Sequence, residues 1–441
     1  MSDSKKQDSA PIDDIRLDAI PVDEDDIQQD IAQVEGVALA SAEESTIGDV
    51  IRDWWRRVRV GDIGSLPIII GLIVIAVIFG IAEPLFFSSR NFVNLLLQMA
   101  GIATIAIGVV FVLLIGEIDL SIGYVSGVSA VVMVLLLRPD HQNLAWPLAI
   151  GAALIITIII GFVQGTIITR TGAHSFVVTL AGLLVWSGVV LILTTISSTA
   201  GTIIIQNDVV VGIANEFLSP TLGWILWSLS IAFFAVSRLS KRRALQRQNL
   251  PSGPMSALII QLVGLIVITG FALYYANQDR GVPVVFVIVW VFLLFWSFIA
   301  DRTRFGRYVY AVGGNQEAAR RAGINVDRIR VQVFMITSFM AGVGGIILAS
   351  RLRSVDTATG GGNLMLNAIA AAVIGGTSLF GGVGFVMSAL LGALIIASVE
   401  NGMGLLGLPS GVKFVINGLV LLAAVLVDAL SRRRRQASGI V

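Results

Sequence analysis

Two acidic residues, Glu117 and Asp119, stand one residue apart between two long apolar runs of the sequence. An ionised carboxylate in such surroundings costs several kcal/mol unless it is paired, hydrated or placed at an interface. In one interpretation, Asp119 or Ser121 accepts the first free backbone amides of the next helix, and the acidic pair caps a hinge. In the other, the carboxylates line a polar path through the membrane. The pattern favours the structural role and leaves the second open.

Hydroxyl, amide and glycine residues recur in the later apolar runs. Neutral polar groups suit a conduit because they bond hydroxyl-rich solutes without holding them tightly, and glycines suit a gate that changes shape. The alternative is ordinary helix packing, with each hydroxyl bonded to its own helix. The candidates for path or gate, besides Glu117, Asp119 and Ser121, are Thr179, Gly375, Gly376, Thr377, Ser378, Gly381, Gly382, Gly384 and Asn401.

Several kinds of chemistry are excluded by what the sequence lacks. Without cysteine there is no thiolate metal site or disulfide, and His141 and His174 are too far apart for a convincing metal site and are expected in loops. The chain has no Gly-x-x-x-x-Gly-Lys-Ser/Thr loop, no Gly-x-Ser-x-Gly elbow and no paired-histidine zinc motif. We therefore expect a non-enzyme, with no cofactor of its own and no nucleic-acid surface.

The elements that must position these residues are membrane helices. Of 441 residues 56% are hydrophobic, the mean hydropathy is +0.87, and the 13% of charged residues cluster at segment ends. The sequence predicts an all-α, polytopic transmembrane fold with about 10 to 12 spans. Glycines interrupt the runs near 366–400, so one or two segments there are expected to be broken or re-entrant. The candidate segments are 66–87, 91–115, 121–138, 145–169, 176–195, 221–238, 255–275, 283–300, 329–350, 366–380, 385–400 and 410–430.

Regions outside the spans have distinct compositions. Residues 1–48 are acidic and poor in aromatics, which predicts a disordered tail and no signal peptide. Residues 49–65 mix tryptophan with arginine, as in an interfacial anchor or an ordinary positive flank of the first span. Residues 66–430 are the transmembrane domain and 431–441 a basic tail. Arginine clusters predict cytoplasmic termini, with the polar stretch Ser197 to Ser219 outside.

A long basic loop at 301–331 is expected on the cytoplasmic side and contains a short helix-forming stretch. Gly313 and Gly314 end the element before it, and Gly323 stops the helix that residues 315–322 form. This helix is either a lever on which a cytoplasmic partner docks or part of a plain linker, and the residues alone leave both open.

Five motifs resemble one family. Tyr310 to Val326 resembles the coupling loop of the permeases of bacterial ABC sugar importers that serve ribose, xylose, arabinose and galactose. Gly116-Glu-Ile-Asp-Leu-Ser-Ile-Gly123 is similar to the acidic signature of those permeases. The same order holds for Ser175 to Gly182, Ala368 to Gly384 and Glu400 to Met403, so the resemblance covers about 66–430. The added material at about 221–282 is similar to that of xylose-type permeases.

The resemblance implies a type II ABC importer-like membrane domain in the bacterial inner membrane. Its expected partners are cytoplasmic ABC ATPase subunits, which use the ATP, an extracytoplasmic sugar-binding protein, and a second permease chain in a homodimer. The expected cargo is a monosaccharide, a pentose such as D-xylose. A permease for branched-chain amino acids and an ion-coupled secondary transporter are the alternatives. The coupling residues that it implies are Gly313, Gly314, Asn315, Glu317, Ala318, Ala319, Arg320, Gly323 and Ile324.

Overall fold

The computed structural model describes residue 52 and residues 66–140, 142–248 and 255–437. These contain fifteen α-helices and two three-residue strands, so the predicted all-α fold is confirmed. The acidic tail at 1–48, the interfacial segment at 49–65 apart from Arg52, and His141 lie outside the described residues. His174 directly precedes a helix, as expected of a loop residue.

The described chain consists of fifteen α-helices and two short strands in the order given below. A short 3-10 turn, Pro84–Phe87, separates the first two helices. The elements are α1 Leu66–Ala82, α2 Ser89–Leu114, α3 Ile122–Leu137, α4 Trp146–Thr171, α5 Ser175–Ser197, β1 Thr202–Ile204, α6 Asp208–Asn215, α7 Pro220–Arg247, α8 Met255–Ala276, α9 Val284–Arg302, α10 Arg304–Gly314, α11 Gln316–Arg321, α12 Val326–Leu352, β2 Ser354–Asp356, α13 Leu364–Ile374, α14 Met387–Leu405 and α15 Ser410–Ala437.

The twelve predicted segments each coincide with one helix. Eight of the described helices are long and apolar enough to cross a membrane, and α1, α3, α13 and the first part of α15 are shorter apolar helices. The predicted extension of the tenth segment to residue 380 is wrong, because α13 ends at Ile374 where glycines begin to turn the chain. Eleven residues reach about 16 Å, half of a hydrocarbon core, so α13 is the broken segment that the sequence predicted.

The bundle is built around α2 and α12, whose side chains are mostly buried. Helix α12 packs against α2, α3 and α4, and small residues allow this close approach. A Cβ atom at Gly161 of α4 would overlap the carbonyl oxygen of Phe334 in α12. Across the α2–α12 contact, the Thr337 hydroxyl donates to the carbonyl oxygen of Gly108 at 3.0 Å. Outer helices such as α5 expose apolar side chains, which suits contact with lipid.

Helix α12 defines two ends of this bundle. Its 27 residues rise about 40 Å, from Val326 beside α11 to Leu352 beside β2. We call these the α11 end and the strand end. At the strand end β1 pairs with β2 in antiparallel register, with Thr202 opposite Asp356. The structure therefore places the long basic loop and the polar stretch after Ser197 at opposite ends, as the charge pattern predicted.

Residues 234–248 and 255–262 belong to a separate compact unit that contains the second part of α7 and the start of α8. Within it, the guanidinium of Arg238 lies 5.1 Å from the centre of the Phe234 ring. This cation–π contact neutralises part of the cost of placing an arginine among apolar residues.

A candidate coupling site at the α11 end

The acidic turn, residues 115–121, joins α2 to α3 and is held by polar contacts from three helices. Glu117, whose side chain is 6% exposed, forms an ion pair with Arg330 of α12. Asp119 is 1% exposed, and its Oδ1 accepts from the Ser121 amide at 2.9 Å and from the Ser121 hydroxyl at 2.7 Å. The same hydroxyl lies 3.1 Å from Oε1 of Gln164 in α4. Asp119 thus ties the turn at the start of α3.

Neither of the two suggested residues caps α3 itself. Asp119 accepts the amide of Ser121, the residue just before α3, and Ser121 makes no side-chain cap, so the expectation that one of them accepts the first free amides of that helix is wrong. Its hydroxyl donates its proton to Asp119 instead. Thr179 of α5 also reaches this turn: its hydroxyl lies 2.8 Å from the Ser175 carbonyl and 3.4 Å from that of Ile118.

Burial dominates the electrostatics of the acidic turn. It raises the pKa of Asp119 to about 6, although the two Ser121 hydrogen bonds favour the ionised form. Burial also raises the pKa of Glu117, against the positive charge of Arg330. Among the described residues, Glu117 Oε2 and Asp119 Oδ2 are buried without a hydrogen-bond partner. Each carboxylate therefore pays part of its desolvation cost without compensation.

The glycine hook, residues 375–386, joins α13 to α14 and lies against the acidic turn. The Gly382 amide donates to the Leu114 carbonyl at the end of α2, at 2.9 Å. Gly381 and Gly382 have φ angles of +86° and +73°, a conformation that side-chain-bearing residues rarely adopt. At the base of the hook, the Thr377 and Ser388 hydroxyls lie 2.7 Å apart. The candidate gate residues Gly375, Gly376 and Thr377 thus belong to this turn.

Helix α10 is wedged against both of these loops. The Tyr310 hydroxyl donates to the Gly384 carbonyl at 2.8 Å, and burial raises the pKa of Tyr310 to about 12, with the Asp301 charge adding to the effect. A Cβ atom at Gly313 would overlap the Leu114 carbonyl oxygen. Only glycine allows the backbone of α10 to come this close to the end of α2.

Helix α11 presents one anchored side and one exposed, charged side. Asn315 accepts the Ala318 amide at 2.9 Å as its N-cap, and Gly323, at φ +83°, follows its end. These bounds confirm the predicted short helix. Ala319 is buried, and Ile324 packs against the core. The exposed side carries Glu317, which lies 3.6 Å from Arg320 and 3.3 Å from Arg321.

The contacts among α11, α10, the glycine hook and the acidic turn suit mechanical coupling between these elements rather than catalysis. Helix α11 packs against α10, and α10 in turn contacts the glycine hook through Tyr310 and the end of α2 through Gly313. The described residues contain no group of three histidine, aspartate or glutamate side chains that could hold a metal ion. The α11 end is therefore a candidate coupling site, formed by loops that the sequence pattern singled out separately.

Asn401 is the one candidate path residue that the structure places elsewhere. It lies in α14 near the strand end and exchanges two hydrogen bonds with Asn91 of α2, at 2.8 and 2.9 Å. A weaker contact, at 3.4 Å, joins it to Gln98. This buried amide pair joins α14 to α2, so the hydrogen bonds of Asn401 stabilise helix packing.

Comparison with known proteins gives the family. A family model described as branched-chain amino acid transport system, permease component, matches residues 91–425. The chain belongs to this permease family. No solved structure matches it.

Curated relatives resemble the permease over most of its length. The xylose transport system permease protein XylH of Escherichia coli K12 is 37% identical over 354 residues, covering 79% of this chain and 87% of the relative. XylH of Haemophilus influenzae is 35% identical over 377 residues, or 84% and 98% of the two chains. The ribose import permease protein RbsC of Escherichia coli K12 is 32% identical over 361 residues, or 82% and 92%. The chain is a multi-pass membrane permease.

Sequence reasoning missed four residues that hold the permease site together. Gln164, Arg330 and Ser388 complete the acidic turn and the hook, and Tyr310 ties α10 to the hook. Gln164 carries a detectable signal, because it is an amide within the apolar run of α4. Arg330 belongs to a basic cluster, and nothing in the sequence separates it from neighbours that remain exposed.

Proposed function

We propose that this chain is the membrane-spanning subunit of an ATP-binding cassette importer, and that it carries a monosaccharide, a pentose such as D-xylose. The observation that carries the proposal is the 35% identity to a xylose permease over 98% of that relative's length. Because the likeness extends across nearly the whole relative, it includes both the helix core and the loops of the candidate coupling site. The chain binds no cofactor, and the ATP is used by its partner.

The geometry of α11 supports docking of a cytoplasmic ATPase subunit. A short helix with a buried underside and a charged upper face is a rigid contact, since force on it is not absorbed by unfolding. The α11 end then faces the cytoplasm, as the arginine-rich loop at 301–331 favours. The strand end faces outward, toward a sugar-binding protein. Both chain termini lie in the cytoplasm, and two copies of the permease form the path.

Two alternatives remain for the experiment to separate. The family description names branched-chain amino acids, so a leucine-like cargo is the nearest rival. An ion-coupled secondary transporter is more distant, but Glu400 lies within the membrane helix α14, and carboxylates of that kind also serve proton-coupled carriers.

Reconstitution tests the proposal directly. The permease is placed in vesicles with its ATPase and binding protein, and labelled D-xylose, D-ribose and L-leucine are supplied with and without ATP. We expect ATP-dependent accumulation of a monosaccharide and none of leucine. Leucine uptake without sugar uptake would overturn the cargo. Sugar accumulation by the permease alone, driven by an ion gradient, would overturn the mechanism.

A further inference from the structure

A second polar cluster lies at the strand end, far from the coupling site. It brings together residues from four helices, each near the end of its helix that faces the strands: Arg351 of α12, Asn367 of α13, Glu400 of α14, and Lys413 and Asn417 of α15. We call it the Glu400 cluster. Its members come from sequence positions up to 66 residues apart, counted from Arg351 to Asn417, so only the fold assembles it.

The hydrogen bonds within the Glu400 cluster use one side of the carboxylate. Glu400 Oε1 accepts from the Asn367 amide nitrogen at 2.6 Å and from that of Asn417 at 3.4 Å. Among the described residues, Oε2 has no hydrogen-bond partner, and Asn417 Oδ1 is buried without one. The two asparagines thus orient the Glu400 carboxylate through Oε1, while Oε2 can still accept a hydrogen bond from a ligand.

The arginine of the cluster is similarly uncommitted. Arg351 is half-buried, and its positive charge acts on Glu400, as does that of Lys413. Yet within the described part of the chain Arg351 forms neither an ion pair nor a hydrogen bond. Its guanidinium carries five N–H donors. The Glu400 cluster therefore contains donors and an acceptor of opposite charge that do not bond to each other.

A purely structural pair would be arranged differently. Inside a membrane protein, opposite charges lower their cost by direct pairing, as Glu117 and Arg330 do at the other end of α12. No ion pair joins Arg351 to Glu400 in the described part of the chain, so the guanidinium and Oε2 each keep hydrogen-bonding capacity that a third group can use. A hydroxyl-rich molecule fits that chemistry, because neighbouring hydroxyls can donate to the carboxylate and accept from the guanidinium. The two protein charges offset one another, which favours a neutral ligand.

We propose that Glu400, Arg351 and Asn367 form a contact site for a neutral polyol, through which the transported monosaccharide passes as it enters at the strand end. This inference rests on the proposed function and adds the residues that meet the cargo. Glu400 accepts from sugar hydroxyls, Arg351 donates to them, and Asn367 positions the carboxylate.

Deoxy sugars provide the test, because each lacks one hydroxyl. In vesicles containing the full transporter, the flux of D-xylose is divided by the flux of each monodeoxy-xylose for the wild type, Glu400→Gln and Arg351→Lys. The binding protein and ATPase are identical in all samples, so any change in these ratios comes from the permease. Glu216→Gln is the matched control, because it removes an exposed carboxylate near the strand end.

For at least one deoxy sugar, we expect the wild-type ratio to fall about tenfold in Glu400→Gln, since a hydrogen bond to a charged group is lost. Arg351→Lys, which keeps the charge but not the planar fork, should lower the ratio for the same or a neighbouring hydroxyl. The control should retain every wild-type ratio. A variant that only weakens assembly lowers all fluxes together and leaves the ratios unchanged.

Unchanged ratios in both variants, with wild-type sugar transport intact, would overturn the polyol site and leave the proposed function standing. Failure of the wild type to transport any monosaccharide would instead overturn the proposed function. If Glu400→Gln does not assemble, Arg351→Lys decides alone, because it retains the charge that the fold holds at that position.

Discussion

The ion pair between Glu117 and Arg330 gives the sharpest prediction. Replacing Arg330 with methionine keeps the long apolar part of the side chain and removes its charge. The Glu117 carboxylate, 6% exposed, then has no partner. Breaking a buried pair in this way costs about 3 to 5 kcal/mol. Because Arg330 is itself 18% exposed, we expect a loss near the lower end, about 3 kcal/mol in the free energy of unfolding.

Denaturant titration of the purified permease in mixed micelles measures that loss. Arg328→Met is the matched control, because it changes an exposed arginine one half-turn earlier in α12 and should shift stability by less than about 0.5 kcal/mol. The double variant Glu117→Gln, Arg330→Met should lose less than Arg330→Met alone, since no uncompensated charge remains.

The pH dependence of the Arg330→Met variant gives an independent check. Burial already raises the pKa of Glu117, and loss of the positive charge raises it further. The folded state then binds a proton more tightly than the unfolded chain, so the stability deficit should be largest at pH 8 and shrink toward pH 5. A deficit equal to that of Arg328→Met, or one that does not change with pH, would refute the buried pair as we describe it.

Three further predictions follow from the same region. Gly313→Ala should reduce folding yield or ATP-driven uptake at least about tenfold, because the new methyl group overlaps the Leu114 carbonyl, whereas Gly314→Ala, with open space around it, should match the wild type in vesicle uptake. Burial raises the pKa of Asp119 from 3.8 to about 6, so the folded state binds this proton more tightly than the unfolded chain. The permease should therefore become less stable as the pH rises from 3.8 to 6. Melting curves of Asp119→Asn across this range should lack that contribution. Glu317→Lys should leave the melting temperature nearly unchanged, because the side chain is 59% exposed and its ion pairs with Arg320 and Arg321 lie at the surface. It should lower ATP-driven uptake, because it reverses the charge at this position of the proposed docking face. Normal uptake would contradict the role of α11.

Local rules predicted the elements of this permease well. Apolar runs near 20 residues long gave the positions of all twelve segments, because lipid forces backbone groups into helices. The short helix α11 was also predicted, since Asn315 and Gly323 are local start and stop signals. The tenth segment was drawn too long because hydropathy continues past Ile374, whereas the backbone turns there at glycine.

The sequence pattern did not predict hydrogen bonds between residues that are far apart in the chain. Ser121 was an obvious capping candidate, yet its hydroxyl bonds to Asp119 and lies near Gln164, 43 residues away. Asn401 was grouped with the path residues, but it pairs with Asn91 across 310 residues. No periodicity or propensity encodes such a pair, since it depends on which helices become neighbours.

By itself, the sequence determined that the chain is a helical membrane protein and where its helices lie. It also showed which polar residues lie within or between apolar segments, where their burial must be compensated. Those properties follow from solvation, which acts residue by residue. Only the tertiary structure decided that Arg330 neutralises Glu117, that Gly313 lets α10 touch the end of α2, and that Arg351 and Glu400 join one polar cluster without forming an ion pair. Charge pairing and close packing depend on distances between side chains, and the fold alone sets those distances.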